Sequence, residues 1–135
     1  MNKKFIEDQT KKRVTNLTIK WCKDFFGVNE RKRTKLKIHY SLRKRKIKNS
    51  IVFGDYCFYR NLITLYLPHC NSINDIISTT IHEYTHYLQS RSKYKDYEQY
   101  YYYSTHPCER EARRNEERYT DLCLKEIKGL LKPHL

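Results

Sequence analysis

No stretch of this chain comes near the ~18–20 consecutive apolar residues that a membrane-crossing helix requires, so none is expected. No secretory leader is expected either. Met1-Asn2-Lys3-Lys4-Phe5-Ile6-Glu7-Asp8 reaches two acids after only two apolar residues, which makes an intracellular, cytoplasmic protein the expectation. The sequence has no Cys-x-x-Cys pair. Its five cysteines, Cys22, Cys57, Cys70, Cys108 and Cys123, are scattered and odd in number, which argues against a disulfide framework. Cys57, Cys108 and Cys123 fall in apolar patterns and read as small buried hydrophobes, and Cys70 beside His69 is too little for a second metal site. Acidic residues are scarce at one end. Residues 1–50 hold 17 Lys and Arg against 4 Asp and Glu, a net of +13, whereas residues 51–135 hold 11 of each. The whole charge excess therefore lies in the first half, as an appended binding surface would have it.

A chain of 135 residues fits one domain, 1–135, with a strongly basic half over 1–50 and a second half over 51–128 that carries the chemistry. That chemistry centres on His82-Glu83-Tyr84-Thr85-His86. Residues four apart share one face of a helix, so His82 and His86 can grip one ion from the same side. Glu83 lies about 100° round the helix, off the metal but close to a water beside it, where a general base is needed. The pattern His-Glu-x-x-His is that of zinc proteases. With this chain's own His and Glu frequencies, accidental matches are expected roughly 0.02 times, so coincidence is a poor explanation.

Helical spacing of Phe5, Ile6, Val14, Leu17, Trp21, Cys22 and Phe25 predicts a helix over much of 3–26, closed by Gly27. Leu36, Ile38, Tyr40 and Leu42 alternate as a half-buried strand. After the basic run at 43–48, residues 51–58 and 62–67 read as two strands of a hairpin turning near Asn61, with Pro68 closing the sheet. Asn71 or Ser72 caps the next helix, which runs from about Ile73 to Gln89 or Ser90 with Ile73, Ile77, Ile81, Tyr84 and Leu88 on a face away from the histidines. A polar connection rich in tyrosine follows, including Tyr94, Tyr97 and the run Tyr100–Tyr103. A last helix starts near Pro107 after Ser104 and Thr105 as caps, and ends at Gly129 and Pro133. The expected class is α+β: an N-terminal helix, a three-stranded, mainly antiparallel sheet with a hairpin, the metal-binding helix and a C-terminal helix.

Two histidines do not complete a catalytic zinc site, which commonly has three protein ligands. The open alternatives for the third are an acid on the following helix or His106. Metzincins would place Gly and a third His at the positions of Gln89 and Ser92, and their Met-turn has no counterpart because Met1 is the only methionine. Ile81-His82-Glu83-Tyr84-Thr85-His86-Tyr87-Leu88-Gln89, taken with His106-Pro107-Cys108-Glu109-Arg110-Glu111-Ala112, resembles the gluzincin metallopeptidases, and among them small single-domain zincin-like proteins encoded by phages and other viruses. The resemblance covers roughly residues 51–120 and, for a viral chain, implies the host cytoplasm. It implies a ligand Glu on the helix after the active one. Glu109 and Glu111 differ by about 200° on a helix, so only one can face the metal. Small Ala112 shares a face with Glu109 and favours Glu109, with Glu111 beside the ligands or on the surface. Arg113 stands where the family often has an acid that orients a ligand histidine.

The resemblance implies a zinc metalloendopeptidase: one Zn²⁺ per chain on His82, His86 and Glu109, Glu83 as general base, and a peptide or protein substrate pairing with one strand of the 51–67 hairpin. Tyr100, Tyr103, Tyr119 and His106 are the candidate donors to the developing oxyanion. The alternative is a metal-binding but non-proteolytic regulatory or nucleic-acid-associated module. The basic half, Arg43, Lys44, Arg45 and Lys46 above all, is the expected surface for nucleic acid or another polyanion, contacted through its backbone without sequence preference.

Overall fold

The computed structural model describes residues 7–131; the first residues of the expected N-terminal helix, and Pro133, lie outside them. Helix α1, Asp8–Phe26, buries Val14, Thr15, Thr18, Ile19, Trp21 and Cys22 at intervals of one and two turns. Gly27 ends it at φ 85, a conformation that glycine adopts without steric cost.

Strands β1 (Lys37–Ser41), β4 (Gly54–Cys57) and β5 (Leu62–Tyr66) form one sheet in the order β1-β5-β4. β4 and β5 are the expected hairpin, with Gly54 opposite Leu65 and Cys57 opposite Leu62. Asn61 turns it at φ 47, accepting from the Tyr56 hydroxyl at 2.6 Å and donating to the Thr34 carbonyl at 2.8 Å. β1 runs parallel to β5, Ile38 opposite Ile63, so the sheet is mixed, with one pairing of each kind. Alternation within β1 reports its buried face but not the direction of its neighbour, and the chain between β1 and β5 is long enough to cross over. Part of that crossover is a separate hairpin, β2 (Lys46–Ile47) with β3 (Ser50–Ile51), tightened by Lys48 and Asn49 at φ 49 and 66. The single strand expected over 51–58 is thus two.

Helix α2, Ile73–Leu88, packs on α1, on both hairpin strands and on the last helix, α4 (Pro107–Leu131). Ser72 caps it, accepting from the Asp75 N–H at 3.0 Å. Ile76, Ile77, Ile81 and Tyr84 are wholly buried in a cluster that joins α1, β5, α2 and α4. The Tyr84 hydroxyl is satisfied by donation to the Gly27 carbonyl at 2.6 Å. β4 approaches α2 so closely that a Cβ on Gly54 would stand 2.7 Å from the Thr79 methyl, one turn before His82. The glycine thereby sets the edge of the sheet against α2.

Two later elements depart from expectation. The tyrosine-rich connection contains α3, Arg91–Glu98, which buries no residue and so lacks the apolar period that marks a helix; the Ser90 cap is its one local signal. Helix α4, Pro107–Leu131, continues through Gly129. Its first turn is capped by His106 rather than by Ser104 or Thr105: His106 Nδ1 accepts from the Cys108 N–H at 3.1 Å. All five cysteines are free, four buried and Cys57 half-buried because it lies on the edge strand. Among the described residues no helix is long and apolar enough to cross a membrane.

Candidate metal centre

Anchoring one face of α2 in the core turns the other toward the start of α4. His82 and His86 project there with ring centroids 5.1 Å apart, and Glu109, only 3% exposed, meets both. Its Oε1 lies 3.2 Å from His82 Nε2 and 3.0 Å from His86 Nε2. The other ring nitrogens are already engaged: His82 Nδ1 donates to Glu116 Oε1 at 2.7 Å and His86 Nδ1 to Gln89 Oε1 at 2.7 Å. Donation from Nδ1 makes Nε2 the atom that carries the lone pair whenever the ring is neutral. Both Nε2 atoms then face one carboxylate oxygen, an arrangement that a shared cation or extra protons must neutralise. Ligand atoms ~2.0–2.1 Å from a tetrahedral zinc stand about 3.3 Å apart, close to these separations.

His82, Glu83 and His86 each offer a ligand atom within 4.8 Å of the others, a group that could hold a metal ion. Donor proximity alone admits either carboxylate as the third partner. No hydrogen bond joins Glu83 to the imidazoles, whereas Glu109 contacts both, which leaves Glu83 free for chemistry. Burial raises the Glu83 pKa to about 7, with Glu109 and Asp55 adding to the rise and the two histidines opposing it. Burial alone would lower His82, but hydrogen bonds to Glu109 and Glu116 reverse this and hold it at about 10. His86 is raised for the same reason, through Glu109. Burial works against ionisation of Glu109, yet bonds from both histidines, and from the Tyr94 hydroxyl, hold it well below the ordinary carboxylate range.

In the metal-free chain these shifts fix the sign of a pH effect. His82 binds its proton more tightly folded than unfolded, so its contribution is full below its ordinary 6.5 and is lost as pH rises through about 10. Glu83 acts in the same direction between 4.5 and about 7. Glu109, depressed, contributes above 4.5 and loses that contribution in acid. The melting temperature of the metal-free chain should therefore fall from pH 6 to pH 9, and the fall should shrink with zinc present because the metal takes the place of the protons. A melting temperature that rises over that range would refute the cluster's electrostatics.

The partners around the two imidazoles and Glu109 were only partly expected. Glu111 is exposed and accepts from Gln89 Nε2 at 2.7 Å, so it steadies the residue that orients His86. Gln89 also donates to the Cys108 carbonyl at 2.9 Å. Arg113 turns away to the Ser104 carbonyl at 2.6 Å, and the acid on His82 is Glu116, two turns beyond Glu109 on the same face of α4. Gln89, Glu116 and Tyr94 were not singled out from sequence; for Glu116 the seven-residue spacing from Glu109 was the available signal.

Of the candidate oxyanion donors, His106 is spent: besides capping α4, its Nε2 donates to the Tyr94 carbonyl at 3.0 Å. Tyr119 packs against Phe25 and Phe26 with centroids 5.0 and 5.3 Å away, and Tyr100 is 79% exposed outside the cleft. Tyr103 remains. Tyr103 is 68% exposed as a residue, but partial burial and the carboxylates of Glu109 and Glu83 push its pKa up to about 12, so it keeps its proton. It lines a cleft of about 890 Å³ together with His82, Glu83, His86, Glu109 and edge strand β4.

The basic run divides. Arg43, Lys44 and Lys46 are exposed, but Arg45 bends into the cleft wall, where its guanidinium pairs with Asp55 and donates to the Tyr66 hydroxyl at 2.9 Å. Neither a family model, a curated protein nor a solved structure matches this chain. The site is therefore read from its own geometry.

Proposed function

We infer that the chain is a zinc-dependent metalloendopeptidase of gluzincin type. The observation that supports this most is the convergence of the His82 and His86 Nε2 atoms on Glu109, with a Glu83 carboxylate that has no hydrogen-bond partner among the described residues beside them in an open cleft. The donor set, two imidazoles and one carboxylate, is one that catalytic zinc uses. His82, His86 and Glu109 would hold one Zn²⁺, which when bound lowers the pKa of a water towards about 7 and polarises the scissile carbonyl.

The rest is the work of the chain. Glu83, with its pKa near neutrality, accepts the proton of the attacking water and returns it to the departing amine. Tyr103 donates its O–H to the carbonyl oxygen as negative charge develops there. Gln89 and Glu116 keep the imidazoles from rotating. β4 ends the sheet and lines the cleft, so an extended peptide can add to its free edge. The direct test is cleavage of an unstructured protein substrate, abolished by a chelator and restored by zinc. Tyr103→Phe should lower kcat by roughly 10²-fold with KM and zinc content unchanged. Unaltered kcat would remove Tyr103 from this role, and hydrolysis indifferent to chelation would remove the metal.

A second partner fits the basic half. Exposed Lys12, Arg13, Lys20 and Lys23 on α1, Lys37 on β1, and Arg43, Lys44 and Lys46 make no salt bridge; among the described residues the Lys and Arg pairs are Lys11–Asp8 and Arg45–Asp55. This surface suits the phosphate backbone of nucleic acid, with log affinity falling by about 0.9 per neutralised phosphate against log salt on B-DNA. Changing Arg43, Lys44 and Lys46 together to Ala should weaken binding and flatten that slope while leaving zinc content intact. Retention on DNA and RNA at ~0.15 M salt no better than that of a neutral protein would refute it.

A further inference from the structure

We propose that the cleft carries a carboxylate-binding subsite beside the metal centre, built from Arg91 and Lys95 on a shelf of aromatic rings, and that preferred substrates bear Asp or Glu a few residues from the scissile bond. The proposal rests on the peptidase reading above and names its substrate class.

The Arg91 guanidinium stacks 3.3 Å above the Tyr59 ring, and Lys95 Nζ lies 5.9 Å from the same ring. From the other side Lys32 Nζ stands 5.5 Å from the Tyr56 ring and 5.2 Å from that of Phe58. Arg91 and Lys95 are one turn apart on α3, and like charges at that spacing repel. Lys32 feels the same crowding: its pKa is lowered by burial and then by Arg91. None of the three cations pairs with an acid among the described residues, although Glu98 lines the same cleft. Three cations gathered over aromatic faces, none of them in a salt bridge among the described residues, can take an anion supplied from outside.

The location ties this cluster to the reaction. Arg91, Lys95 and Tyr59 line the same cleft as the ligand residues. Phe58 packs on Tyr94 at 5.4 Å between centroids, and the Tyr94 hydroxyl donates to Glu109, so a single aromatic side chain separates the shelf from the metal ligands. An extended peptide lying along this cleft, advancing about 3.3 Å per residue, can meet both the shelf and the residues that would hold the metal. Stacking one face of the guanidinium on Tyr59 keeps its N–H edge pointed outward in the planar fork that suits a carboxylate. The ring also removes water from one side, which strengthens the attraction relative to open solvent.

Binding can be read without hydrolysis on zinc-loaded Glu83→Gln, using two unstructured peptides of equal length that differ only in Glu against Gln. The Glu peptide should bind about ten-fold more tightly, and Arg91→Glu/Lys95→Glu in the same background should abolish or invert that preference. Lys125→Glu/Lys128→Glu, an equal charge change at exposed positions of α4, should leave most of it. Equal affinity for the two peptides, or a preference that the α4 pair reduces as much as the cleft pair does, overturns the subsite. So does displacement of the Glu peptide by a short single-stranded oligonucleotide at lower concentration, if that too depends on Arg91 and Lys95, since it would assign the cluster to nucleic acid. Hydrolysis by the unaltered chain is scored separately, so a failure of the peptidase reading is distinguishable from a failure of the subsite.

Discussion

Glu83→Gln should cut peptide hydrolysis by about 10²–10⁴-fold, the range that general-base catalysis supplies, while zinc content and fold stay unchanged. The amide nearly matches the carboxylate in shape but cannot accept the water's proton. The same substitution should have a second and opposite consequence. Glu83 is 7% exposed with its pKa raised to about 7 by burial, so its ionised form costs folding free energy that grows as pH rises from 4.5 through about 7 and stays constant above. Removing that ionisation should stabilise the metal-free chain at pH 8, by about 1–3 kcal/mol, and not at pH 5. Denaturant titration of the two metal-free proteins at both pH values checks the sign. A Gln variant that loses zinc would place Glu83 among the ligands, and one no more stable than the parent at pH 8 would refute the raised pKa of Glu83.

Changing His82 and His86 together to Ala should have the largest effect on stability. Zinc would no longer contribute; a ligand at one hundred times its Kd stabilises by about 2.7 kcal/mol. Glu109 would also be left buried without its two imidazole partners, and removing the partners of a buried charge costs about 3–5 kcal/mol. Adding Glu109→Gln to the double variant should recover part of the second cost, because a neutral amide needs no counter-charge, and should recover none of the first. If the double variant unfolds at the same denaturant concentration as the zinc-loaded parent, the three side chains are not coupled as described.

What could be read from sequence was what is local. His82, Glu83 and His86 lie within five residues of one helix, so their mutual geometry follows from helical period once the apolar stripe of Ile77, Ile81 and Tyr84 has fixed the face. Glu109 was reachable by a further local argument, the small Ala112 on its face of α4. Glu116 and Tyr94 were not, because each acquires its role from a contact between elements, α4 to α2 and α3 to α4; Gln89 lies only three residues after His86, but nothing in its residue type marks it as the partner of that ring. The same holds for Arg45, which composition groups with its basic neighbours and Asp55 draws into the cleft wall. The tyrosine-rich stretch hid α3 because a helix lying on the surface needs no buried stripe. His106 was assigned to chemistry on residue type, whereas both of its nitrogens hold backbone atoms.

The most direct test of the metal centre is the zinc content of the purified chain, by elemental analysis after exposure to zinc and removal of loosely bound ion, alongside Glu109→Ala and Glu111→Ala. The expected result is about one zinc per molecule for the parent and for Glu111→Ala, and a marked loss for Glu109→Ala, since Glu109 meets both Nε2 atoms and Glu111 touches only Gln89. A parent chain that retains no zinc, or retention that depends on Glu111 and not on Glu109, would contradict it.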